Sequence, residues 1–477
     1  MNWLNKHLSF KADLMVTLLN GLVVIGGVFV LNGLIARIFG LEVLGEYLLI
    51  KRTLSSIVGI LLIGMSVGLP NYLSRNFNKS FGDNALIIFL FFTIPITVVF
   101  IYGIISFDIP GFTSNNFWVY LIFSLSISAQ FITYALYRGY MNMIGANIFQ
   151  LLGTAIIPII IFVNIDSLDN GLFWIGTSVF TIMIIAYLTR NRGLNFFNFN
   201  YNKSKQIILY GFKRLPGFFS QFILLAGIPL FIAKSDNYES VAYFNSSLSL
   251  VRLSLIFVNP IGMVLLPRLS NKIAKGEKED LTKMLKVFFN AGIVFSVIGA
   301  TFCYLNTPLI LKLWLGEANN NGVYILRFTI LALPFYTFSG LTRSPIDVVS
   351  ERGYNSLIYG IAAISMIVLL SVGMKLEIDL LTISLFSFLI SNIIAGFMSS
   401  YYLNKLYNQW FFGFNIFRDC VISIISIVVI SKVVSILKIS LLSQFLFSIV
   451  SFILIAILCL HYSKTGWIAE IKKRIYV

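Results

Sequence analysis

In this chain of 477 residues, AVILMFWYC make up 58% and DEKR only 11%, and the mean hydropathy is +0.89. A water-soluble fold cannot cover itself with so little polar surface, whereas lipid tails tolerate apolar side chains. The formal charge of +16 admits nucleic acid, an anionic membrane surface or an anionic substrate. Most Lys and Arg lie between apolar segments, so they read as membrane orientation signals and no nucleic-acid partner is expected.

In chain order, apolar segments fall at 14–36, 44–69, 85–106, 117–137, 146–165 and 171–189. A second set covers 215–233, 241–267, 287–311, 323–342, 354–374 and 380–403, and a pair follows at 416–436 and 441–463. Each is long enough, at 1.5 Å per residue, to cross a hydrocarbon core of about 30 Å as a helix. None alternates as a barrel strand would. The expected fold is therefore all-α and polytopic, with fourteen transmembrane helices. Lys6 and Lys11 precede a first segment too long for a cleaved signal, so it reads as a retained anchor.

Charge tests that topology. With the N-terminus inside, 25 of the 35 Lys and Arg face the cytoplasm, among them Arg190, Arg192, Lys203, Lys205, Lys213 and Arg214. Only Arg37, Lys234, Lys312, Lys375, Lys432 and Lys438 fall outside. This asymmetry follows the positive-inside rule and places both termini in the cytoplasm.

One offset recurs. Ile35-Ala36-Arg37 matches Ile232-Ala233-Lys234 at 197 residues, and Leu69-Pro70 matches Leu266-Pro267 at the same distance. An offset of six crossings gives two lobes of the same orientation, and repeats of this kind enclose a substrate cavity. The expected organisation is an N-terminal lobe at 1–190, a cytoplasmic linker at 191–214, a second lobe at 215–405 and a terminal pair with its tail at 406–477.

Four basic residues lie inside apolar segments: Lys51, Arg52, Arg252 and Arg327. Each costs about 3 kcal/mol near the bilayer centre, so each is turned inward, paired or snorkelling. On a straight helix Arg52 stands about 27 Å from Pro70, and the offset brings Arg252 opposite Ser55, one turn away. The bland reading is snorkelling or pairing with Glu46. The functional reading is a basic site for an anionic substrate, since guanidinium grips phosphate oxygens in pairs.

Other chemistry is thinly represented. Carboxylates are scarce in the apolar segments, which argues against a carboxylate-driven drug antiporter. His7 and His461 are near the ends, and Cys303, Cys420 and Cys459 show no metal or disulfide spacing, so the cysteines read as free and no metal or other cofactor is expected. No phosphate-binding loop is present to use ATP. Pro95, Pro158, Pro216, Pro229, Pro260, Pro308 and Pro334, with Gly21, Gly26, Gly27 and Gly33 in the first helix, suit a protein that bends.

Three motifs carry a family resemblance. IARIFGLEVLGEY at 35–47, NPIGMVLLPRLSNKIAKGE at 259–277 and LKLWLGE at 311–317 resemble, in order and spacing, segments of Wzx-type polysaccharide flippases. That family belongs to the MOP superfamily, with MATE transporters and the lipid II flippase MurJ. The resemblance implies two six-helix lobes around a central cavity, with an extra C-terminal pair. It also implies transfer of undecaprenyl-diphosphate-linked repeat units, O antigen first among them, to the outer leaflet of a bacterial inner membrane. The implied partners are the lipid-linked oligosaccharide, the bilayer and other polysaccharide-assembly membrane proteins. The chain departs from the family at Gly227-Ile228-Pro229, where members commonly carry an acidic residue; here Asp236 stands only in the loop. The alternatives are a MATE-type antiporter and a membrane-embedded glycan polymerase or ligase, the latter disfavoured by the short outer loops. On the leading reading the chain is not an enzyme, and Arg52, Arg252, Lys51 and Arg327 contact the substrate.

Overall fold

The computed structural model describes residues 10–76, 78–235, 237–254, 278–349, 353–411, 413–436 and 441–462. Among them every regular element is helical, because each apolar stretch must satisfy its own backbone hydrogen bonds away from water. The first span, α1 (Phe10–Phe39), runs unbroken through its glycines and ends with Arg37 in its last turn. A Cβ on Gly27 would meet Ala155, so at this position the glycine serves close packing rather than bending.

The second segment is not straight. Helices α2 (Leu41–Leu61) and α3 (Met65–Asn76) meet at a bend of 49°. Ile63 and Gly64 between them have φ of 47° and 68°, left-handed values that interrupt the ladder of hydrogen bonds. Measuring the depth of Arg52 along a straight helix from Pro70 therefore fails, and Pro70 itself lies inside α3.

Two further spans are kinked by one device. Helix α4 (Lys79–Ile88) passes through a π turn at Phe89–Thr93 into α5 (Ile94–Ser106). Beyond α6 (Phe117–Gly139), α7 (Met143–Leu151) passes through a second at Leu152–Ile156 into α8 (Ile157–Val163). Pro95 and Pro158 follow these turns directly; each lacks an N–H, and the wider turn absorbs the mismatch. The Thr93 hydroxyl donates to the Leu61 carbonyl at 3.2 Å, satisfying the end of α2 at its break.

The chain continues through α9 (Leu168–Arg190), α10 (Tyr201–Phe212), α11 (Leu215–Ala233) and a helical stretch, α12, at 238–254. After residue 277 come α13 (Lys278–Leu305), α14 (Thr307–Leu315), α15 (Asn320–Ile330) and α16 (Leu333–Val349). The last four are α17 (Tyr354–Lys375), α18 (Leu380–Tyr407), α19 (Phe414–Ile436) and α20 (Leu441–Tyr462).

Ten helical stretches among the described residues are long and apolar enough to cross a membrane, eleven when α2 and α3 count as one span. The expected fourteen is therefore not reached. The eighth segment is described only over 238–254, and the last helix offers a short apolar stretch at Phe445–Leu454. The 259–277 motif, Pro260, Leu266-Pro267, Asp236 and the tail from 463 lie outside the described residues.

The chain divides into two units, Met1–Asn245 and Ser246–Val477. In the first, α6 packs along α9 and α3, and α11 packs along α2. Tyr47 and Phe162, both fully buried, meet edge to face at 5.2 Å. In the second, α18 packs against α16 and α17, while α13 is flanked by α16, α19 and α20. Phe289 is the hub there, with Phe411 at 5.5 Å and Phe338 at 5.9 Å.

The 191–200 linker is tied down rather than loose. Arg192 and Gly193, at φ of 55° and 80°, turn the chain out of α9, and the Gly193 N–H closes the helix on the Leu188 carbonyl at 2.7 Å. Fully buried Asp83 near the start of α4 accepts from the Asn191 and Asn198 amides at 2.9 Å each, and from the Asn195 N–H at 3.4 Å. Asn84 accepts from the Asn200 N–H at 2.9 Å and from the Ser204 hydroxyl at 2.8 Å, which fixes the start of α10. Burial raises the pKa of the Tyr140 phenol, the Arg190 charge opposing, so it stays protonated and donates to Asn191 Oδ1 at 3.0 Å. At the other end of α10 a Cβ on Gly211 would strike the Ile63 carbonyl, so the helix rests directly on the break in α2–α3.

Candidate functional site

Arg52 owes its surroundings to a glycine. On α2, a Cβ at Gly45 would overlap the Tyr238 carbonyl and crowd the Ala242 N–H, so the backbone of α12 comes close only because Gly45 has no side chain. The two helices then advance side by side. Seven residues past Gly45, half-buried Arg52 donates from Nε to Asn245 Oδ1 at 3.3 Å. Asn245 is fully buried beside Tyr243 and Phe244, so its amide oxygen is one of the few acceptors that an inward-turned guanidinium can reach.

Lys51 is half-buried as well, and its partner is local. Its ammonium donates to the Tyr47 hydroxyl at 3.1 Å and lies 5.1 Å from the centre of that ring. Residues four apart share a helix face, so this contact was readable from the sequence. Two adjacent cations thus each reach a polar side chain, Lys51 a phenol and Arg52 an amide oxygen. Two other buried polar groups of this unit, the Asn32 amide and the Thr53 hydroxyl, have no hydrogen-bond partner among the described residues. Such groups cost about 1–3 kcal/mol each until something supplies a partner.

In the second unit the two remaining basic residues part company. Arg252 is half-buried three residues from the end of the described helix 238–254. Arg327 on α15 donates from Nε to the Tyr304 carbonyl at 3.3 Å, with its guanidinium 5.2 Å from the Tyr304 ring centre. Tyr304 is the penultimate residue of α13, so Arg327 satisfies a helix-end carbonyl that has no partner within its own helix.

Sequence reasoning missed Asn245 and Asp83. Asn245 stands in an Asn-Ser-Ser run inside an apolar segment, a signal weak on its own. Asp83 sits four residues into a helix and looks like a loop acid until the linker folds over it. Among the described residues no group of His, Cys, Asp and Glu could hold a metal.

No family model matches the sequence, and no curated protein matches it. Solved structures do match the fold. The lipid II flippase MurJ in an inward closed conformation aligns with a TM-score of 0.64 at 14% identity, over 94% of this chain and 97% of that one. An inward-facing multidrug resistance MATE family transporter of the MOP superfamily aligns at 0.61 and 15% identity, over 80% of this chain and 94% of that one. A MATE protein in complex with MaD3S aligns at 0.58 and 16% identity, over 83% and 96% respectively. The chain therefore has the fold shared by MurJ and the MATE proteins.

Proposed function

We propose that this chain is a flippase for lipid-linked oligosaccharides, moving undecaprenyl-diphosphate-linked repeat units, O antigen first among them, from the cytoplasmic to the outer leaflet by alternating access. The observation that carries the reading is the adjacent pair Lys51 and Arg52, two cations half-buried in an apolar span. Arg52 presents a planar guanidinium, the group with which Arg grips phosphate oxygens in pairs. Cations inside the bilayer are expensive, and an anionic headgroup that visits them offsets the cost. The alignment with the lipid II flippase extends over 94% of the chain against 80% and 83% for the two MATE proteins, which supports a lipid-linked over a drug-like substrate. In this reading Arg252 also contacts the substrate, and Arg327 belongs to the outer approach.

The test is complementation of a strain lacking its own flippase. Arg52→Ala and Arg252→Ala are expected to abolish surface polysaccharide while membrane protein levels hold. Normal polysaccharide from both variants would remove the site assignment, and a change in drug susceptibility instead would favour the MATE-type reading.

A further inference from the structure

The linker holds its inner side to the first unit and leaves an unusual outer side. Residues 190–214 contain six Lys or Arg and no Asp or Glu. On α10 the buried positions are Ser204, Ile207 and Gly211, one face at helical spacing. Tyr201, Lys205, Leu209 and Phe212 form a different stripe at spacings of four, four and three, with Tyr201 68% and Phe212 62% exposed. Just before the helix, Phe197 is 100% exposed and Phe199 53%. Exposed aromatics so concentrated would be a liability in water. Rigidity sharpens the point: Asp83, Asn84 and Gly211 pin this segment at three places, so its aromatic side cannot fold inward.

The tethers supply the location. The segment leaves the span Leu168–Arg190 and enters the span Leu215–Ala233, so both of its ends are fixed at one face of the bilayer. Aromatic rings favour the headgroup level, and flanking Lys and Arg favour anionic lipids there.

We propose that residues 192–213 form an in-plane anchor for anionic lipid headgroups, with Phe197, Phe199, Tyr201 and Phe212 seated at the acyl boundary and Arg192, Lys205 and Lys213 meeting lipid phosphates. The proposal stands apart from the transport reading, since it uses none of the residues assigned to substrate. Charge complementarity selects the occupant: a basic, acid-free surface held against a bilayer fits phosphatidylglycerol-like headgroups.

Two measurements on the full chain in nanodiscs test it, using phosphatidylcholine alone or an equal mixture with phosphatidylglycerol. In the first, a fluorophore on Phe197→Cys, with the native cysteines replaced, is compared with one on Asn202→Cys on the polar side of α10. Lipids carrying a quencher near the headgroup are expected to quench position 197 and spare 202, with aqueous iodide doing the reverse. Iodide quenching position 197 as freely as 202 would overturn the proposal and leave the surface to a soluble partner. The second measurement keeps the native cysteines and reads thermal unfolding. Phosphatidylglycerol is expected to raise Tm by several degrees, and the triple variant Arg192→Gln, Lys205→Gln, Lys213→Gln is expected to lose that rise. An undiminished rise in the triple variant would overturn it.

Discussion

Two charged places in the first unit answer burial in opposite ways. Asp83 is closed off by the chain itself: two amides and a backbone N–H, all from the linker, surround its carboxylate. Lys51 and Arg52 meet a phenol and an amide oxygen instead, each a group that a ligand can supplement. A charge enclosed by its own backbone neighbours holds a fold together. A cation held through side chains can trade a partner for a ligand. Removing the first should cost stability, and removing the second should cost activity.

The comparison can be pressed at four points, in order of size. Asp83→Ala strands the buried Asn191 amide and two part-buried donors and should lower unfolding stability by about 3 kcal/mol, read as a drop in Tm in detergent. An unchanged Tm would mean that the linker is not held there. Next, Gly211→Ala forces α10 off the Ile63 carbonyl and should cost about 2 kcal/mol in the same measurement. Third, Arg52→Ala should slow transport at least about tenfold, the loss of one charged hydrogen bond, with unfolding stability within about 1 kcal/mol of the parent. Arg52→Lys should recover only part of the rate, because an ammonium lacks the planar fork. A Tm loss as large as that of Asp83→Ala would erase the distinction between the two places. Smallest of all, Arg327→Ala should cost about 0.5–1 kcal/mol, because the Thr307 hydroxyl still donates to the Tyr304 carbonyl at 3.0 Å, and should leave transport near normal. Lost transport with intact stability would move Arg327 to the side of Arg52.

Much of the candidate site was legible in advance. A cation within a run of apolar residues is conspicuous, and the Lys51–Tyr47 contact follows from helical spacing alone. The partner of Arg52 was not legible. A buried Asn in a membrane helix can turn its amide back onto its own helix, as Asn392 does to the Phe388 carbonyl at 2.8 Å. Asn245 instead reaches across to another helix, and nothing in its local sequence separates the two cases.

By itself, the sequence determined that this protein lives in a bilayer, that its structure is helical, and where most spans begin and end. Those properties follow from transfer of side chains out of water and from backbone hydrogen bonds that close within a single segment. Tertiary structure alone decided the break at Ile63–Gly64, the enclosure of Asp83 by the linker and the meeting of Arg52 with Asn245. Each of these depends on residues distant along the chain, brought together by backbones close enough that only glycine fits between them.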